Sequence, residues 1–283
     1  MKNSLIWQCT RRAIDLRRPQ VMGIVNITPD SFSDGGRHAD TLAALHHCEQ
    51  LLREGAQILD LGAESSRPGA APLPTQDELT RLLPVVREAV KLGVPISIDS
   101  YKAEVMQAAL DLGVDIINDI WALRQPGAQE VVARHGACGV CLMHMHRDPQ
   151  TMQLEPMNGD PVAQVGEFLR ARALSLEAAG VQRARLVLDP GIGFGKTVAH
   201  NLQLLARQRE LLALGYPLLL GWSRKSTLGA VTGLEVQQRL APSVAAALLA
   251  VQRGASVVRV HDVQATVAAL KILEAVEGAA TIA

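Results

Sequence analysis

Eight short apolar runs recur along the chain, and each is followed by a longer segment with helical periodicity. Near-continuous hydrophobicity over about four to eight residues is typical of parallel strands that are covered on both faces. Parallel neighbours also need a crossover between them, which the amphipathic segments supply. The eight runs are residues 21–27, 57–62, 94–99, 114–119, 137–144, 185–190, 217–221 and 256–262. This alternation constrains the chain to an α/β fold built on parallel strands.

Eight β/α units predict a (β/α)8 TIM barrel. Such barrels are typically about 250 residues long, and the chain has 283. A doubly wound open sheet is the alternative, but no dinucleotide-binding glycine fingerprint follows the first run. We expect residues 1–18 to form a short hairpin that closes the barrel floor. Because no linker, repeat or low-complexity segment divides the chain, residues 1–283 are expected to form one domain.

The charge balance excludes several classes of partner. Lys and Arg total 28, Asp and Glu also total 28, and the formal net charge is +0. The chain therefore has no overall positive field that would gather nucleic acid or an anionic membrane. No apolar run reaches the roughly 18 residues of a membrane helix, and the N-terminus has no signal-peptide pattern. We expect a cytoplasmic protein whose four cysteines are free thiols.

Nearly every apolar run ends in polar residues. In a TIM barrel the active site is built from the C-terminal ends of the strands and the loops that follow them. A single Asp or Asn there could simply cap the next helix or turn, but caps do not require Arg, Lys and His as well. The polar residues at or just after the run ends are Asn26, Asp60, Glu64, Ser65, Ser66, Arg67, Asp99, Asn118, Asp119, His144, Asp189, Ser223, Arg224, Lys225, Ser226, Arg259 and His261.

One group of these side chains suits a flat heterocycle. Asp99, Asn118 and Asp189 offer carboxylate and amide groups to a nitrogen-rich ring with several N–H donors. Lys225 offers a cation to a carbonyl oxygen or a ring nitrogen of the same ligand.

A second group suits a phosphate. Arg67, Arg259 and His261 supply guanidinium forks and an imidazole for phosphate oxygens. Arg259 and His261 are two residues apart, so both point to one face of their strand. Asn26 offers an oxygen ligand to Mg²⁺ that the phosphate would share. The lining therefore predicts a heterocycle that carries a phosphate leaving group.

Two long loops follow the first two runs. Residues 26–36 exceed the roughly two to six residues that usually join a strand to its helix. Phe32 lies in this loop among polar residues, where a core position is not expected, so we interpret it as a lid contact for a second substrate. Residues 64–74 form a second loop with Gly and Pro that could close from the adjacent strand.

Three weaker motifs favour other functions less strongly. Residues 195–197, Gly-Lys-Thr, resemble the end of a phosphate-binding P-loop, but a proline stands where that motif needs its first glycine. Cys138 and Cys141 have redox spacing, yet they lie inside an apolar run, so buried structural thiols are expected. His144 and His146 could be two metal ligands on one strand face, as in metal-dependent hydrolases.

Eight longer motifs stand in one order along residues 5–275. They are Met22-Gly-Ile-Val-Asn-Ile-Thr-Pro-Asp-Ser-Phe-Ser-Asp-Gly-Gly36, Gly62-Ala-Glu-Ser-Ser-Arg-Pro-Gly69, Ile98-Asp99-Ser100, Ile117-Asn118-Asp119, Leu142-Met-His-Met145, Asp189-Pro-Gly-Ile-Gly-Phe-Gly-Lys196, Ser223-Arg-Lys-Ser226 and Arg259-Val-His-Asp262. In this order they resemble the dihydropteroate synthase family of folate biosynthesis. The resemblance implies a (β/α)8 barrel that joins p-aminobenzoate to 6-hydroxymethyl-7,8-dihydropterin pyrophosphate with Mg²⁺ and releases pyrophosphate.

The resemblance also implies a role for each site residue. The pterin and its diphosphate would contact Ser66, Asp99, Asn118, Met143, Asp189, Phe194, Lys225, Arg259, Val260 and His261. The aminobenzoate side would use Phe32, Pro68 and Ser226, and the catalytic residues would be Asp34, Arg67, Asp99 and Lys225. Asn26 would ligate Mg²⁺. The implied mechanism is dissociative, and the family commonly forms homodimers through its last helices.

Three positions depart from the family pattern. Ala63 and Ser66 stand where Gly and Thr are usual, and Trp222 stands where Met or an aliphatic residue is commoner. Ser66 keeps the hydroxyl, whereas Ala63 matters only if its position needs a positive φ. Trp222 is expected to narrow the rim of the pterin pocket. A rival from another class is a barrel that only carries folate in methyl transfer, although such proteins lack the motifs at residues 28–34 and 223–226.

Overall fold

Eight parallel strands close into a barrel in the computed structural model of the chain, which describes residues 5–27, 36–65, 69–152 and 154–279 except the side chains of 36–39. The strands are β1 (Ile6–Gln8), β2 (Ala13–Asp15), β3 (Gln20–Asn26), β4 (Ile58–Gly62), β5 (Ile96–Asp99), β6 (Ile116–Asp119), β7 (Gly139–Met143), β8 (Leu186–Asp189), β9 (Leu218–Leu220) and β10 (Ala255–Val260). Around the barrel the order is β10, β3, β4, β5, β6, β7, β8, β9. The predicted TIM barrel is therefore confirmed.

Helices follow each barrel strand. They are α1 (Gly36–Arg53), α2 (Thr75–Ala89), α3 (Ala103–Asp111), α4 (Ala128–His135), α5 (Pro161–Ala178), α6 (Val198–Ala206), α7 (Gln208–Leu211), α8 (Ser226–Thr232), α9 (Leu240–Gln252) and α10 (Val263–Ala279). The side chain of Asp160 caps α5 by accepting from two backbone N–H groups, and Pro161 occupies its first turn. Gly136 ends α4 with a φ of 76°.

Alternation along each strand separates an inner layer from an outer one. On β4, Leu59 and Leu61 pack in the core between strands and helices, whereas Ile58 packs with residues inside the barrel. Period-two alternation then directs Asp60 to the interior as well. The lower interior is apolar and the upper interior is polar. Among the described residues, the polar groups inside the barrel lie toward the C-terminal ends of the strands, where a ligand would find partners.

The barrel floor is closed by the hairpin of β1 and β2, as predicted for residues 1–18. Trp7 is fully buried among the lower interior residues, and its indole N–H donates to the Arg185 carbonyl at 2.9 Å. Arg11, beyond β1, forms an ion pair with the buried carboxylate of Asp115. The same carboxylate accepts from the Arg11 backbone N–H and the Ile96 N–H, each at 3.0 Å. Asp115 thus ties the hairpin to the start of β5.

Within the described ranges, no helix has the length and apolar content required to cross a membrane.

Replacing Asp115 tests this tie. Asp115→Ala leaves the buried Ile96 N–H without its partner, so we expect a loss of about 2–4 kcal/mol in the free energy of unfolding by urea. Asp15→Ala is the control, because its ion pair with Arg17 is exposed and should contribute nothing measurable. Equal midpoints for Asp115→Ala and the parent protein would show that the hairpin is not anchored there.

Candidate active site

Arg259 joins two carboxylates inside the upper barrel. Its Nε donates to Asp60 Oδ2 at 2.6 Å, and its Nη2 donates to Asp99 Oδ2 at 2.7 Å. Asn118 Nδ2 donates to the same Asp60 oxygen at 3.1 Å. Strands β4, β5, β6 and β10 therefore meet in one hydrogen-bonded network. The network leaves Asn118 Oδ1 as an acceptor for a ligand.

The electrostatics of this network follow from burial. Burial raises the pKa of Asp99 to about 7, the positive charge of Arg259 lowers it, and the negative charge of Asp60 raises it. Burial alone would lower the pKa of Arg259, but Asp60 and Asp99 raise it above its usual value. Arg259 is therefore a permanent cation, and its charge counteracts the effect of burial on Asp99.

Asp60 is part of this network, and sequence reasoning did not foresee its role there. It is fully buried, and its Oδ1 has no hydrogen-bond partner among the described residues. The sequence signal was a polar residue at an inward position of an apolar strand. The partner that explains it, Arg259, lies 199 residues further along the chain.

Asp189 ends β8 with one oxygen engaged and one available. Its Oδ1 accepts from the Gly191 N–H at 2.7 Å, and Oδ2 makes no hydrogen bond to a described residue. Burial raises the pKa of Asp189 to about 6, while the bond from Gly191 and the charge of Lys225 lower it. A ligand with two adjacent N–H donors would supply the bonds that this buried carboxylate lacks.

Lys225 lies against apolar side chains near Asp189, at the C-terminal ends of the strands. Its Nζ is 4.3 Å from the ring centroid of Phe194, a cation–π contact. Phe194 packs in one cluster with Met143 and Ile120, on top of the barrel interior. Burial and then the charge of Arg259 lower the pKa of Lys225 to about 8. These apolar side chains can cover the face of a flat ring, while the Lys225 ammonium contacts the polar edge of that ring.

His261 is held as a neutral imidazole after the end of β10. Its backbone N–H donates to Ser223 Oγ at 3.1 Å, and its Nδ1 lies 3.0 Å from the same oxygen. Ser223 Oγ can donate to Nδ1 or accept from it, and in either case the contact fixes the orientation of the ring. Burial, followed by the charge of Arg259, lowers the pKa of His261 to about 3. The Val260 side chain packs in the outer core, so only its backbone can meet a ligand.

The remaining predicted residues divide into described and undescribed ones. Asn26 is exposed at the end of β3, and Ser226 is the first residue of α8. Five predicted residues lie outside the described part of the chain: Phe32, Asp34, Ser66, Arg67 and Pro68.

A polar cluster that the sequence did not reveal anchors the second long loop. Lys102 Nζ pairs with Glu64 and with Glu78, and it donates to the Leu73 carbonyl at 2.7 Å. Tyr101 donates to Glu64 at 2.8 Å. Lys102 thereby holds both ends of residues 64–73. No sequence signal joins these partners, because an ion pair between distant loops leaves no periodic trace.

The geometry does not favour the alternative metal site at His144 and His146. His144 Nδ1 lies 2.8 Å from the ammonium of Lys196, so a cation already occupies its lone pair. Nowhere in the described chain do three or more His, Cys, Asp or Glu side chains gather as metal ligands. The P-loop alternative fails with it, because Lys196 is only 2% exposed.

The other secondary expectations have mixed outcomes. Cys138 and Cys141 are buried free thiols, as expected. Ala63 does not have a positive φ, so its substitution for glycine is tolerated. The expectation that Trp222 narrows the pocket rim is wrong, because its side chain is fully buried in the outer core.

The substitution Asp189→Asn tests whether the pKa of Asp189 is raised in the folded protein. Because burial raises the Asp189 pKa from 3.8 to about 6, the folded state binds more protons than the unfolded chain between these values. The contribution of Asp189 to the free energy of unfolding therefore falls as pH rises through this window. Asn does not titrate, and its Oδ1 can still accept from Gly191. We expect the variant to gain about 1–3 kcal/mol relative to the parent between pH 4 and pH 8.

Urea unfolding at both pH values measures this difference, and histidines common to both proteins cancel from it. Asp15→Asn is the control, since the adjacent Arg17 lowers the pKa of Asp15 and no such gain is expected. A difference between Asp189→Asn and the parent that stays constant with pH would contradict the raised pKa.

Comparisons with known proteins agree with the geometry. Residues 22–261 match the family model described as pterin binding enzyme. The chain is 50% identical to a dihydropteroate synthase of Neisseria meningitidis serogroup B, over 95% of this chain and 97% of that protein. It is 45% identical to that of Escherichia coli K12, over 93% of each.

Solved structures are equally similar. A Xanthomonas albilineans dihydropteroate synthase with 4-aminobenzoic acid has a TM-score of 0.91 and 49% identity, covering 97% of this chain and 99% of that one. A Burkholderia cenocepacia dihydropteroate synthase complexed with 7,8-dihydropteroate has a TM-score of 0.90 and 49% identity, with 98% of each chain covered. The chain belongs to the pterin binding enzyme family and, within it, to the dihydropteroate synthases, which are transferases.

Proposed function

We propose that the barrel mouth holds 6-hydroxymethyl-7,8-dihydropterin pyrophosphate and p-aminobenzoate together, and that its residues divide the two substrates between them. The observation that carries this proposal is the buried carboxylate of Asp189. Its Oδ2 lacks a hydrogen bond to the described residues, and the 2-amino and N3 edge of a pterin offers two N–H donors to a carboxylate.

The other pterin contacts follow from the same orientation. Asn118 Oδ1 and Asp99 provide acceptors on the β5 and β6 side of the ring. Lys225 supplies a donor to a ring nitrogen or carbonyl. Met143 and Phe194 would flank the ring faces, as their shared apolar cluster supports.

The diphosphate is assigned to the β3 and β10 side. His261 offers its Nε2, the backbone of Val260 adjoins it, and Ser66 is expected to add a hydroxyl. Arg259 has one guanidinium nitrogen, Nη1, without a hydrogen bond to a described residue. That nitrogen can meet a phosphate oxygen while both carboxylate pairs stay in place.

Mg²⁺ fits this arrangement as an ion that the substrate brings with it. The described chain offers no cluster of carboxylates or imidazoles for a metal, and Asn26 alone gives an exposed oxygen at the end of β3. Mg²⁺ usually keeps several waters and binds through substrate phosphates, so one protein ligand suffices. When bound, it would neutralise charge on the leaving diphosphate.

The reaction we infer is a dissociative substitution. The bond between the methylene carbon and the diphosphate oxygen breaks first, and pyrophosphate leaves with the bonding electrons. Asp99 and the electron-rich ring stabilise the positive methylene carbon. The amine of p-aminobenzoate then attacks this carbon and loses a proton. No Ser or Cys nucleophile with an adjacent base is required.

The aminobenzoate side is assigned to residues around the loops. Phe32, Pro68 and Ser226 would contact the arylamine, and Arg67 and Asp34 would act as catalytic residues from the same loops. The Xanthomonas albilineans relative with 4-aminobenzoic acid supports a second-substrate site of this kind.

We also infer a cytoplasmic homodimer. Ile272 and Val276 on α10 are 68% and 62% exposed, and Leu249 on α9 is also exposed. Apolar side chains on adjacent last helices suit a partner copy. The four cysteines are unpaired, as suits a reducing compartment.

Pyrophosphate release distinguishes this enzyme from a barrel that only carries a pterin. Purified protein with both substrates and Mg²⁺ should release pyrophosphate, whereas a carrier would release none. Asp189→Asn should bind the pterin pyrophosphate roughly 30- to 1000-fold more weakly, because one acceptor becomes a donor that faces another donor. Titration calorimetry measures the affinity, and retention of the folded state is checked by thermal unfolding. Unchanged affinity in a folded variant would make Asp189 a structural cap.

Binding should be ordered. The diphosphate is expected to hold Arg67 and Asn26, which carry the loops of the aminobenzoate side. p-Aminobenzoate should therefore bind pyrophosphate-loaded enzyme at least about tenfold more tightly than free enzyme. Calorimetry with pyrophosphate and Mg²⁺, compared with sulfate at the same ionic strength, measures this. Equal affinity for the free and loaded enzyme would refute the order.

A further inference from the structure

Lys196 is a buried cation that neither the pterin contacts nor the diphosphate contacts use. It lies between β8 and α6, and only 2% of it is exposed. Its Nζ is 2.8 Å from His144 Nδ1, 2.8 Å from the Gly191 carbonyl oxygen and 3.0 Å from the Phe194 carbonyl oxygen. The His144 carbonyl oxygen lies 3.3 Å from the same Nζ. An ammonium has three donors, and this cage presents four acceptors, so every donor finds a partner.

The cage spans two loops. His144 follows β7, while Gly191 and Phe194 follow β8. The same loops are joined at a second place, where the His144 N–H donates to the Asp189 carbonyl at 2.9 Å. Lys196 therefore joins the loops after β7 and β8 next to Asp189, the last residue of β8.

Glycine allows the loops to approach this closely. Gly191 and Gly195 have φ values of 66° and 68°. A Cβ on Gly195 would lie 2.6 Å from the His146 carbonyl oxygen, and one on Gly191 would overlap the His144 carbonyl oxygen. The backbone can thus turn its carbonyl groups toward Nζ only because no side chain fills the gap.

Two acceptors of the cage, Gly191 and Phe194, are attached to groups of the pterin pocket. Gly191 donates its N–H to Asp189 Oδ1 while its carbonyl accepts from Lys196. Phe194 accepts at its carbonyl while its ring lies beneath Lys225. A shift of the turn from 190 to 195 would therefore move the carboxylate, the ring and the ammonium of the pocket together.

We propose that Lys196 is a positioning residue for the pterin substrate, which acts by fixing Asp189 and Phe194 through the carbonyl cage. This inference rests on the placement of the pterin at Asp189. Lys196 does not touch the substrate. Its contribution is that the pocket is already shaped before the ligand arrives, so binding does not have to order the turn.

A second buried cation, at the opposite end of β8, provides a matched control. Arg185 lies just before β8 and is 1% exposed. It also donates to backbone carbonyls, at 2.7 Å to Cys138 and at 2.9 Å to Val132. It differs from Lys196 in its position at the floor of the barrel, far from the strand ends. Both cations should contribute to stability, whereas only Lys196 should contribute to recognition.

The experiment compares Lys196→Met with Arg185→Met. Each replacement keeps a long apolar side chain and removes the donors. We expect both variants to unfold at lower temperature than the parent. The KM for the pterin pyrophosphate should rise about 10- to 100-fold in Lys196→Met only, because small displacements in a pocket have effects of this size. In that variant kcat and the KM for p-aminobenzoate should stay within about threefold of the parent.

His144→Leu is the milder variant if Lys196→Met does not fold. It removes the imidazole acceptor and leaves the three carbonyl acceptors, so the KM for the pterin pyrophosphate should rise about threefold or more. A parental KM in folded Lys196→Met, or in His144→Leu where the first is insoluble, overturns the proposal. An equal rise in Arg185→Met also overturns it, since general destabilisation would then explain both. A parent protein that fails to bind the pterin pyrophosphate would instead refute the proposed function.

Discussion

The double ion pair of Arg259 is the interaction on which the polar interior depends. One guanidinium forms ion pairs with both Asp60 and Asp99, which stand on neighbouring strands. A buried carboxylate without a partner would cost several kcal/mol, so these two can lie inside the barrel only because β10 brings Arg259 between them. Asp60 then orients Asn118 through a shared oxygen. The positions of Asp60, Asp99 and Asn118 are thus a consequence of charge pairing.

Burial shifts the pKa values of four ionisable side chains around the upper barrel. Burial moves the pKa of the carboxyls up, to about 7 for Asp99 and about 6 for Asp189, and moves the pKa of the amines down, to about 8 for Lys225 and about 7 for Lys196. Each shift favours the neutral form in the empty pocket. A ligand that presents N–H donors to these carboxyls would favour their charged form, since hydrogen bonds to a carboxylate lower its pKa.

The sequence predicted the barrel well because hydrophobic periodicity is a local property, and it predicted strand limits less well. The run 94–99 becomes the shorter strand Ile96–Asp99, since Pro95 has no N–H for the ladder. Polar strand ends were correctly gathered at one rim. Alternation separates their roles, however, and Asp119 faces away from the pocket and accepts from the Trp121 and Leu123 N–H groups as an ordinary cap. The ion pair between Asp60 and Arg259 could not be predicted from the sequence, because its partners lie 199 residues apart in the chain.

Lys196 and Arg185 show why residue type alone does not reveal function. Both are buried cations that satisfy backbone carbonyls, one at each end of β8. A TIM barrel uses its floor for stability and its opposite rim for chemistry. Hydrogen bonds from a buried cation to backbone carbonyls therefore have different roles at the two ends of β8. At the floor it holds a helix and a strand together, and at the rim it fixes the turn that presents Asp189. Only the three-dimensional position distinguishes the two, which is why a lysine in a glycine-rich motif resembled a phosphate site in the sequence.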